Sequence, residues 1–310
     1  MAIVVAGSTG LVGSATVRHF ENRGIQTVGI NRSVVDLFDK EATSDFILKI
    51  KPTVIIDAAA RVGGVAANNK QPVEFLTDNL LIQNNLMQAA HTAKVAKFVF
   101  LGSSCIYPRD AAQPIKEEYL MTGPLEITNS AYAIAKIAGI ELVNSYRKEF
   151  GYKWISLMPT NLYGPHDNFD LESSHVLPAL IRKFVDAVDE NQSSLTLWGS
   201  GNPRREFLHV DDLAAAIDIS LENYDSELHM NVGTGEDLSI NELAALISEL
   251  TGFNGEILWD SSKSDGTPRK VLDVTRLQKL GWKPKISLRD GIQSTIDWYK
   301  QNSENGLVRK

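Results

Sequence analysis

The apolar run Ile3-Val-Val-Ala6 passes without a break into Gly7-Ser8-Thr9-Gly10-Leu11-Val12-Gly13, and an amphipathic stretch from Ser14 to Arg23 follows. A buried strand, a glycine-rich turn and a helix in that order admit few folds. The glycines allow a tight turn and close backbone approach, and the helix N-terminus presents free N–H groups to an anion. The expected occupant is the pyrophosphate of a dinucleotide. The spacing Gly-x2-Gly-x2-Gly is looser than the dinucleotide fingerprint Gly-x-Gly-x2-Gly, but strand and helix are present on both sides of it.

Further apolar runs, at Thr27–Ile30, Thr53–Ile56, Lys97–Leu101 and Trp154–Met158, alternate with helical stretches, of which Phe75–Val95 is the longest. Continuous apolar strands alternating with helices imply a parallel sheet covered on both faces. The expected fold class is therefore α/β, a Rossmann-type doubly wound parallel sheet. After Gly164 the pattern loosens. Short strands at Leu195–Trp198 and Met230–Val232 mix with helices at Val176–Val188 and Asn241–Thr251. Residues 1–164 read as the cofactor domain and 165–310 as a smaller mixed α/β substrate-binding lobe, with 205–232 a candidate return to the first domain.

The second strand ends in Asn31-Arg32. An acid there would bind ribose hydroxyls, whereas Arg32 suits a 2′-phosphate, so NADP(H) is the expected cofactor. Downstream, Ser103-Ser104-Cys105-Ile106-Tyr107 precedes Tyr132-Ala-Ile-Ala-Lys136. Tyrosine and lysine four residues apart share one helix face. With a nearby hydroxyl they form a proton-transfer set for a carbonyl or alcohol. Cys105, the single cysteine of the chain, excludes an internal disulfide and fits a reducing compartment. His209, Asp211 and Asp212 resemble a metal cluster, but Asp211 or Asp212 reads better as a helix N-cap. No metal is expected.

A net charge of −7 argues against a nucleic-acid or membrane-surface role. No apolar run approaches the ~20 residues of a membrane span. The first strand starts directly after Met1-Ala2, which leaves no room for a signal peptide, and a cytoplasmic location is expected.

Several stretches resemble the GDP-L-fucose synthase family, the GDP-4-keto-6-deoxy-D-mannose 3,5-epimerase/4-reductases of the extended short-chain dehydrogenase/reductase superfamily. They include Gly63-Gly-Val-Ala-Ala-Asn-Asn69, Gly102-Ser-Ser-Cys-Ile-Tyr-Pro108, Tyr132–Lys136, Met158-Pro-Thr-Asn-Leu-Tyr-Gly-Pro-His-Asp-Asn168, Ser174-His-Val176, Arg205–Asp212 and Asp265-Gly-Thr-Pro-Arg-Lys270. The resemblance covers nearly the whole chain. One position departs: the family's first turn reads Gly-His-x-Gly, and Ser8 stands in place of the histidine. The resemblance implies an oxidoreductase that is also an epimerase. Cys105 would be the base and His175 the acid at C3 and C5 of a 4-keto sugar. Ser103, Tyr132 and Lys136 would serve reduction at C4. Leu101, Gly102, Pro159, Thr160, Asn161, Leu162, Lys136 and His175 would border the cofactor together with the first turn and Arg32. Lys183, Trp198, Arg205, Asp265 and Arg269 would meet the GDP-sugar, and a homodimer would form through two helices of the first domain.

Three readings remain open on the residues: this epimerase–reductase or a close relative acting on a 3,6-dideoxy sugar; a simple 4-ketoreductase or an NAD-dependent nucleotide-sugar 4-epimerase, which needs no Cys105–His175 pair; and a catalytically silent NADP-binding protein, which needs no intact Ser103–Tyr132–Lys136 set.

Overall fold

The computed structural model describes residues 2–263, 265–306 and 308. In the first half, apolar strands of four or five residues alternate with helices: β1 (Ala2–Ala6), α1 (Leu11–Asn22), β2 (Gln26–Ile30), α2 (Lys40–Ile50), β3 (Val54–Asp57), α3 (Val65–Lys70), α4 (Pro72–Thr92), β4 (Lys97–Leu101), α5 (Ser130–Phe150) and β5 (Ile155–Pro159). The chain then alternates between lobes through β6 (Asn161–Tyr163), α6 (Val176–Asp189), β7 (Ser194–Trp198), β8 (Arg204–Arg205), β9 (Phe207–His209), α7 (Val210–Asn223) and β10 (Met230–Val232).

The central sheet has six strands in the order β10-β5-β4-β3-β1-β2, and every pairing in it is parallel. Successive strand residues face opposite sides. Val4, Ala6, Ile55, Phe98 and Phe100 pack with side chains of α2, α4 and α5. Ile3, Val5, Ile56, Val99 and Leu157 pack with Phe20 of α1 and with Leu213, Ile217 and Leu221 of α7. Strands covered on both faces have no polar side to show, which explains their unbroken apolar runs. The edge strand β10 is recruited from far along the chain: Met230–Val232 pairs with Leu157–Pro159.

The second lobe has its own core, built from Leu177, Ile181 and Phe184 of α6, Leu243 and Ile247 of α8 (Ile240–Thr251), and Ile292, Ile296 and Tyr299 of the C-terminal helix (Leu288–Asn302). Ser239 and Glu242 form a capping box at the start of α8, and Gly252 ends that helix in the left-handed conformation. Val308 is buried against this core, so the polar tail after Asn302 is anchored by one apolar side chain.

The histidine–aspartate group is not what the spacing indicates. The N-cap of α7 is His209, whose Nδ1 accepts from the Asp211 N–H at 3.2 Å. Asp211 instead pairs with Arg18 at 2.9 Å. Asp212 accepts from the Lys285 and Ile286 backbone N–H groups at about 3 Å. An unprotonated imidazole nitrogen accepts as a carboxylate would, which frees both acids for distant partners. Among the described residues no group of three His, Cys, Asp or Glu side chains could hold a metal ion. No helix among them is long and apolar enough to cross a membrane.

Helix α5, which carries the Tyr132–Lys136 pair, lies hard against β4. A Cβ at Gly139 would overlap the fully buried ring of Phe100. Gly139→Ala should therefore destabilise the fold by about 1–3 kcal/mol, since overpacking outweighs the gain in helix propensity. Denaturant unfolding of the two proteins checks this; equal midpoints would show that α5 can draw back from the sheet without cost.

Candidate active site

The strand order reverses between β1 and β3, and there a cleft of about 770 Å³ opens at the carboxyl ends of the strands. Ligands of open α/β sheets bind at such a switch point. The cleft brings together the first turn, the loops after β2, β3, β4 and β5, the start of α5 and the start of α6.

The first turn is a cradle that side chains would fill. Gly7 has φ +76°, and a Cβ there would strike the Ala58 carbonyl; a Cβ at Gly13 would overlap the Gly7 carbonyl. Helix α1 begins at Gly10 with no side-chain cap and no acid in its first turn, so its N-terminal N–H groups are left for an anion. Gly7, Thr9, Gly10, Leu11 and Val12 line the cleft with Arg32. Ser8 and Gly13 do not: the Ser8 hydroxyl donates to the Ile30 carbonyl at 3.1 Å, tying the turn to β2. Beyond β5, Pro159, Thr160, Asn161 and Leu162 line the cleft. The Thr160 hydroxyl and the Asn161 amide both donate to the Glu206 carbonyl, at 3.3 Å and 2.8 Å. Their side chains are thus anchored to the chain just before β9.

The proposed proton-transfer set sits where β4 ends. Leu101, Gly102, Ser103 and Cys105 follow one another along the cleft wall, opposed by Tyr132 and Lys136 of α5. Ser103 caps the short turn Ser104–Ile106, its hydroxyl accepting from the Cys105 N–H at 3.2 Å. The Tyr132 ring meets Phe75 edge-on at 6.3 Å between centroids. Burial raises the pKa of its phenol above the usual value; Cys105 adds to the rise and a hydrogen bond from Ser103 opposes it. The Lys136 side chain is 3 % exposed, and its Nζ donates to the Leu101 carbonyl at 2.9 Å. Burial brings its pKa down to about 8, against the opposing pull of Asp57.

Cys105 is a free, partly buried thiol. Asn129 Nδ2 approaches its Sγ at 3.4 Å and Lys270 Nζ at 3.7 Å. A thiolate there would meet an ammonium and an amide N–H. Sequence reasoning assigned no role to either residue. Asn129 could have been found, since it stands three residues before Tyr132 at the start of the same helix; Lys270 arrives from 165 positions away and left no local signal. His175, at the start of α6, lines the same cleft. It is open to solvent through the cleft mouth, yet the surrounding protein strips enough water to lower its pKa.

The residues expected to meet substrate lie off the main cleft. Trp198, 61 % exposed, is flanked by Lys183 and Lys263 with their ammonium groups 5.7 Å and 5.6 Å from the ring centroid. Asp265 accepts from the Ser200 N–H and hydroxyl, both at 2.7 Å. Arg269 is held by Asp237 at 2.5 Å. Arg205 links the two regions, since its charge is felt by both Cys105 and Asp265.

A dinucleotide cradle and a serine–tyrosine–lysine set on a doubly wound sheet define a short-chain dehydrogenase/reductase of the extended kind. The model of the NAD dependent epimerase/dehydratase family matches residues 3–233. A putative GDP-L-fucose synthase 2 of Arabidopsis thaliana is 51% identical, the match covering 97% of this chain and 92% of that protein. A GDP-L-fucose synthase of Escherichia coli is 49% identical, with 97% of each covered. The crystal structure of a GDP-L-fucose synthetase from Naegleria fowleri bound to NADP superposes with a TM-score of 0.91 at 31% identity, covering 100% of this chain and 96% of that one. The chain belongs to the NAD dependent epimerase/dehydratase family and, within it, to the GDP-L-fucose synthases.

Substituting Asn129 tests how the thiol is held. Asn129→Leu keeps the volume and removes the amide donor, so Cys105 loses one of its two polar contacts. Alkylation of Cys105 by iodoacetamide near neutral pH should slow by about 3-fold to 10-fold, the worth of one weak hydrogen bond to a charged group. A rate equal to that of the unaltered protein would show that the amide does not hold the reactive form.

Proposed function

We propose that this protein converts GDP-4-keto-6-deoxy-D-mannose to GDP-L-fucose, by 3,5-epimerisation followed by NADPH-dependent reduction at C4. The observation that carries the reading is the meeting of two proton-transfer sets in one cleft: Cys105 with His175, and Ser103 with Tyr132 and Lys136. A simple 4-ketoreductase or 4-epimerase needs only the second.

We read residues 1–164, with 205–232 returning to them, as the cofactor lobe and the rest as the substrate lobe, except that residues 271–282 also pack on the first lobe, Leu272 and Val274 in the core on one face of its sheet and Leu277 and Trp282 in the core on the other. The glycine cradle, the uncapped start of α1 and Arg32 fit the pyrophosphate and 2′-phosphate of NADP(H). Bound there, the cofactor supplies the hydride that reduces C4. The 4-keto group acidifies the protons at C3 and C5. Cys105 as thiolate removes them, with Lys270 and Asn129 offsetting its charge. His175 returns protons from the other side. Its lowered pKa leaves the ring neutral near pH 7, and the negative charge of the diphosphate and of the developing enolate favours its protonation once substrate is bound. Ser103 donates a hydrogen bond to the C4 oxygen, and Tyr132 delivers the proton to the new alkoxide. The Lys136 ammonium stabilises the phenolate left behind.

In this reading Lys183 and Arg205 meet the phosphates of GDP, and Trp198, Asp265 and Arg269 complete the substrate site. The free thiol is consistent with a cytoplasmic enzyme. Exposed Val73 and Leu81 on α4 and Ile134 on α5 support a homodimer formed through these two helices.

Tyr132→Phe should abolish NADPH oxidation while leaving deuterium wash-in at C3 and C5 measurable; reduction within ~10-fold of the unaltered enzyme would remove Tyr132 as the donor, since general acid catalysis is worth ~10² or more. Cys105→Ser should have the opposite effect. Wash-in should collapse, and NMR of the product should show slow reduction to an unepimerised GDP-deoxyhexose. Unchanged exchange in this variant would leave a simple reductase. Arg32→Asp should raise KM for NADPH and narrow its preference over NADH; equal use of both cofactors by the unaltered protein would sink the 2′-phosphate assignment.

A further inference from the structure

A buried carboxylate in the floor of the cleft has no part in the chemistry described so far. Asp57 is the last residue of β3, between Ala6 of β1 and Phe100 of β4 in the sheet register. It is 1 % exposed, and it lines the cleft with Lys136 and Tyr132. One oxygen, Oδ1, accepts from the Ala59 N–H at 3.2 Å. The other, Oδ2, is sealed from solvent and has no hydrogen-bond partner. A lone buried carboxylate oxygen costs stability unless an opposite charge compensates it.

The compensating charge is Lys136. Its ammonium has three donors, and the structure places one of them on the Leu101 carbonyl and sets the group 4.9 Å from the centroid of the Phe100 ring. Among the described residues, the Asp57 charge favours the protonated form of Lys136, and the Lys136 charge favours ionised Asp57. The two line one cleft without forming a direct ion pair: Asp57 is the register neighbour of Phe100, and the Lys136 ammonium lies over the Phe100 ring. Other titratable side chains along this cleft stand differently. Tyr132 and Cys105 act on each other. Arg61, just beyond β3, is drawn onto Asp78 at 3.1 Å and Gln71 at 2.9 Å. Asp167 and His175 line the same cleft.

We propose that Asp57 is a positioning residue for C4 reduction: its unpartnered Oδ2 is the counter-charge that keeps the Lys136 ammonium protonated beside Tyr132. The proposal rests on the roles given above to Tyr132 and Lys136. The sign follows from the charges. Burial favours neutral lysine and brings its pKa to about 8 even with Asp57 present. Removing the carboxylate must lower it further, toward the pH at which the enzyme works. Below about pH 6 Asp57 takes up a proton and the support fades, but there Lys136 is fully protonated without help. The effect therefore belongs to the alkaline side alone.

The test compares Asp57→Asn with the unaltered full-length enzyme by two measurements. The first is an NMR titration of the free protein labelled with 13C at the lysine ε carbons, the Lys136 signal being assigned by its loss in Lys136→Met. The second is the pH profile of kcat for NADPH oxidation with GDP-4-keto-6-deoxy-D-mannose. The Lys136 midpoint and the alkaline limb should both move down by about one pH unit, the usual effect of removing an opposite charge at this range. A midpoint that stays in place overturns the proposal, as does a rate that falls equally at every pH with the limb unmoved. Should the asparagine variant fail to fold, Asp57→Leu fills the site without a charge and is read in the same way. Tyr132→Phe run alongside keeps the two ideas apart. If it still reduces the substrate, the assignment of the reductive set fails; if it is inactive while the Asp57 variant titrates normally, only the counter-charge fails.

Discussion

The carboxyl edge of a parallel sheet carries strand-end carbonyls that need donors, and this molecule is organised around how they are satisfied. Just past the strands, backbone N–H groups take them in turn: Ser8 bonds Ile30, Ala58 bonds Ala6, Gly102 bonds Leu157 and Thr160 bonds Val232, at 2.9–3.2 Å. The Leu101 carbonyl accepts a side-chain ammonium from α5. That one exchange holds a cation under the sheet edge. It draws the first turns of α5 over the end of β4, and the close fit of Gly139 on Phe100 keeps them there. Ser103, two residues past Leu101, and Tyr132, one turn before Lys136, flank this contact.

A second constraint follows from the first. A lysine buried this deeply loses the water that keeps it charged, and the surrounding groups decide whether it stays an acid. Phe100 presents the face of its ring, Leu101 its carbonyl, and Asp57 a full negative charge. The same loss of water raises the Tyr132 phenol and lowers His175. Burial thus favours the protonated phenol but the uncharged forms of Lys136 and His175, so each of these two bases depends on an opposite charge nearby to carry a proton.

Local signals made much of this legible. Unbroken apolar runs marked β1 to β5 because both faces of the sheet are covered. The first turn was readable because Gly7 needs a positive φ and Gly13 a close approach, and only glycine gives both. Tyr132 and Lys136 share a helix face by spacing alone. What escaped depends on distance. Lys270 reaches Cys105 from 165 positions away, and Asp212 binds the backbone of residues 285 and 286. The cap of α7 was assigned to an aspartate because capping preference weighs residue types, whereas the fold turned both acids outward and left the task to His209. Ser8 was grouped with its neighbours in the turn, although its hydroxyl faces β2. Asp57 was hidden by its place at the end of an apolar strand, where a carboxylate has no pattern to belong to.

The edge strand β10 carries a consequence for how the molecule is made. Residues 155–159 complete the first five strands of the sheet, but the strand that covers their outer side is not synthesised until residue 232 has been added. For the stretch of translation between the two, β5 presents a bare backbone edge at the side of an apolar sheet, a template for pairing with other chains. The helix just before β10, α7, supplies the face that shields α1 and the strands beneath it, and it arrives in the same interval. The nascent chain is therefore most exposed to misassembly between the completion of β5 and the arrival of α7 and β10, which cover the α1 face and the open edge together.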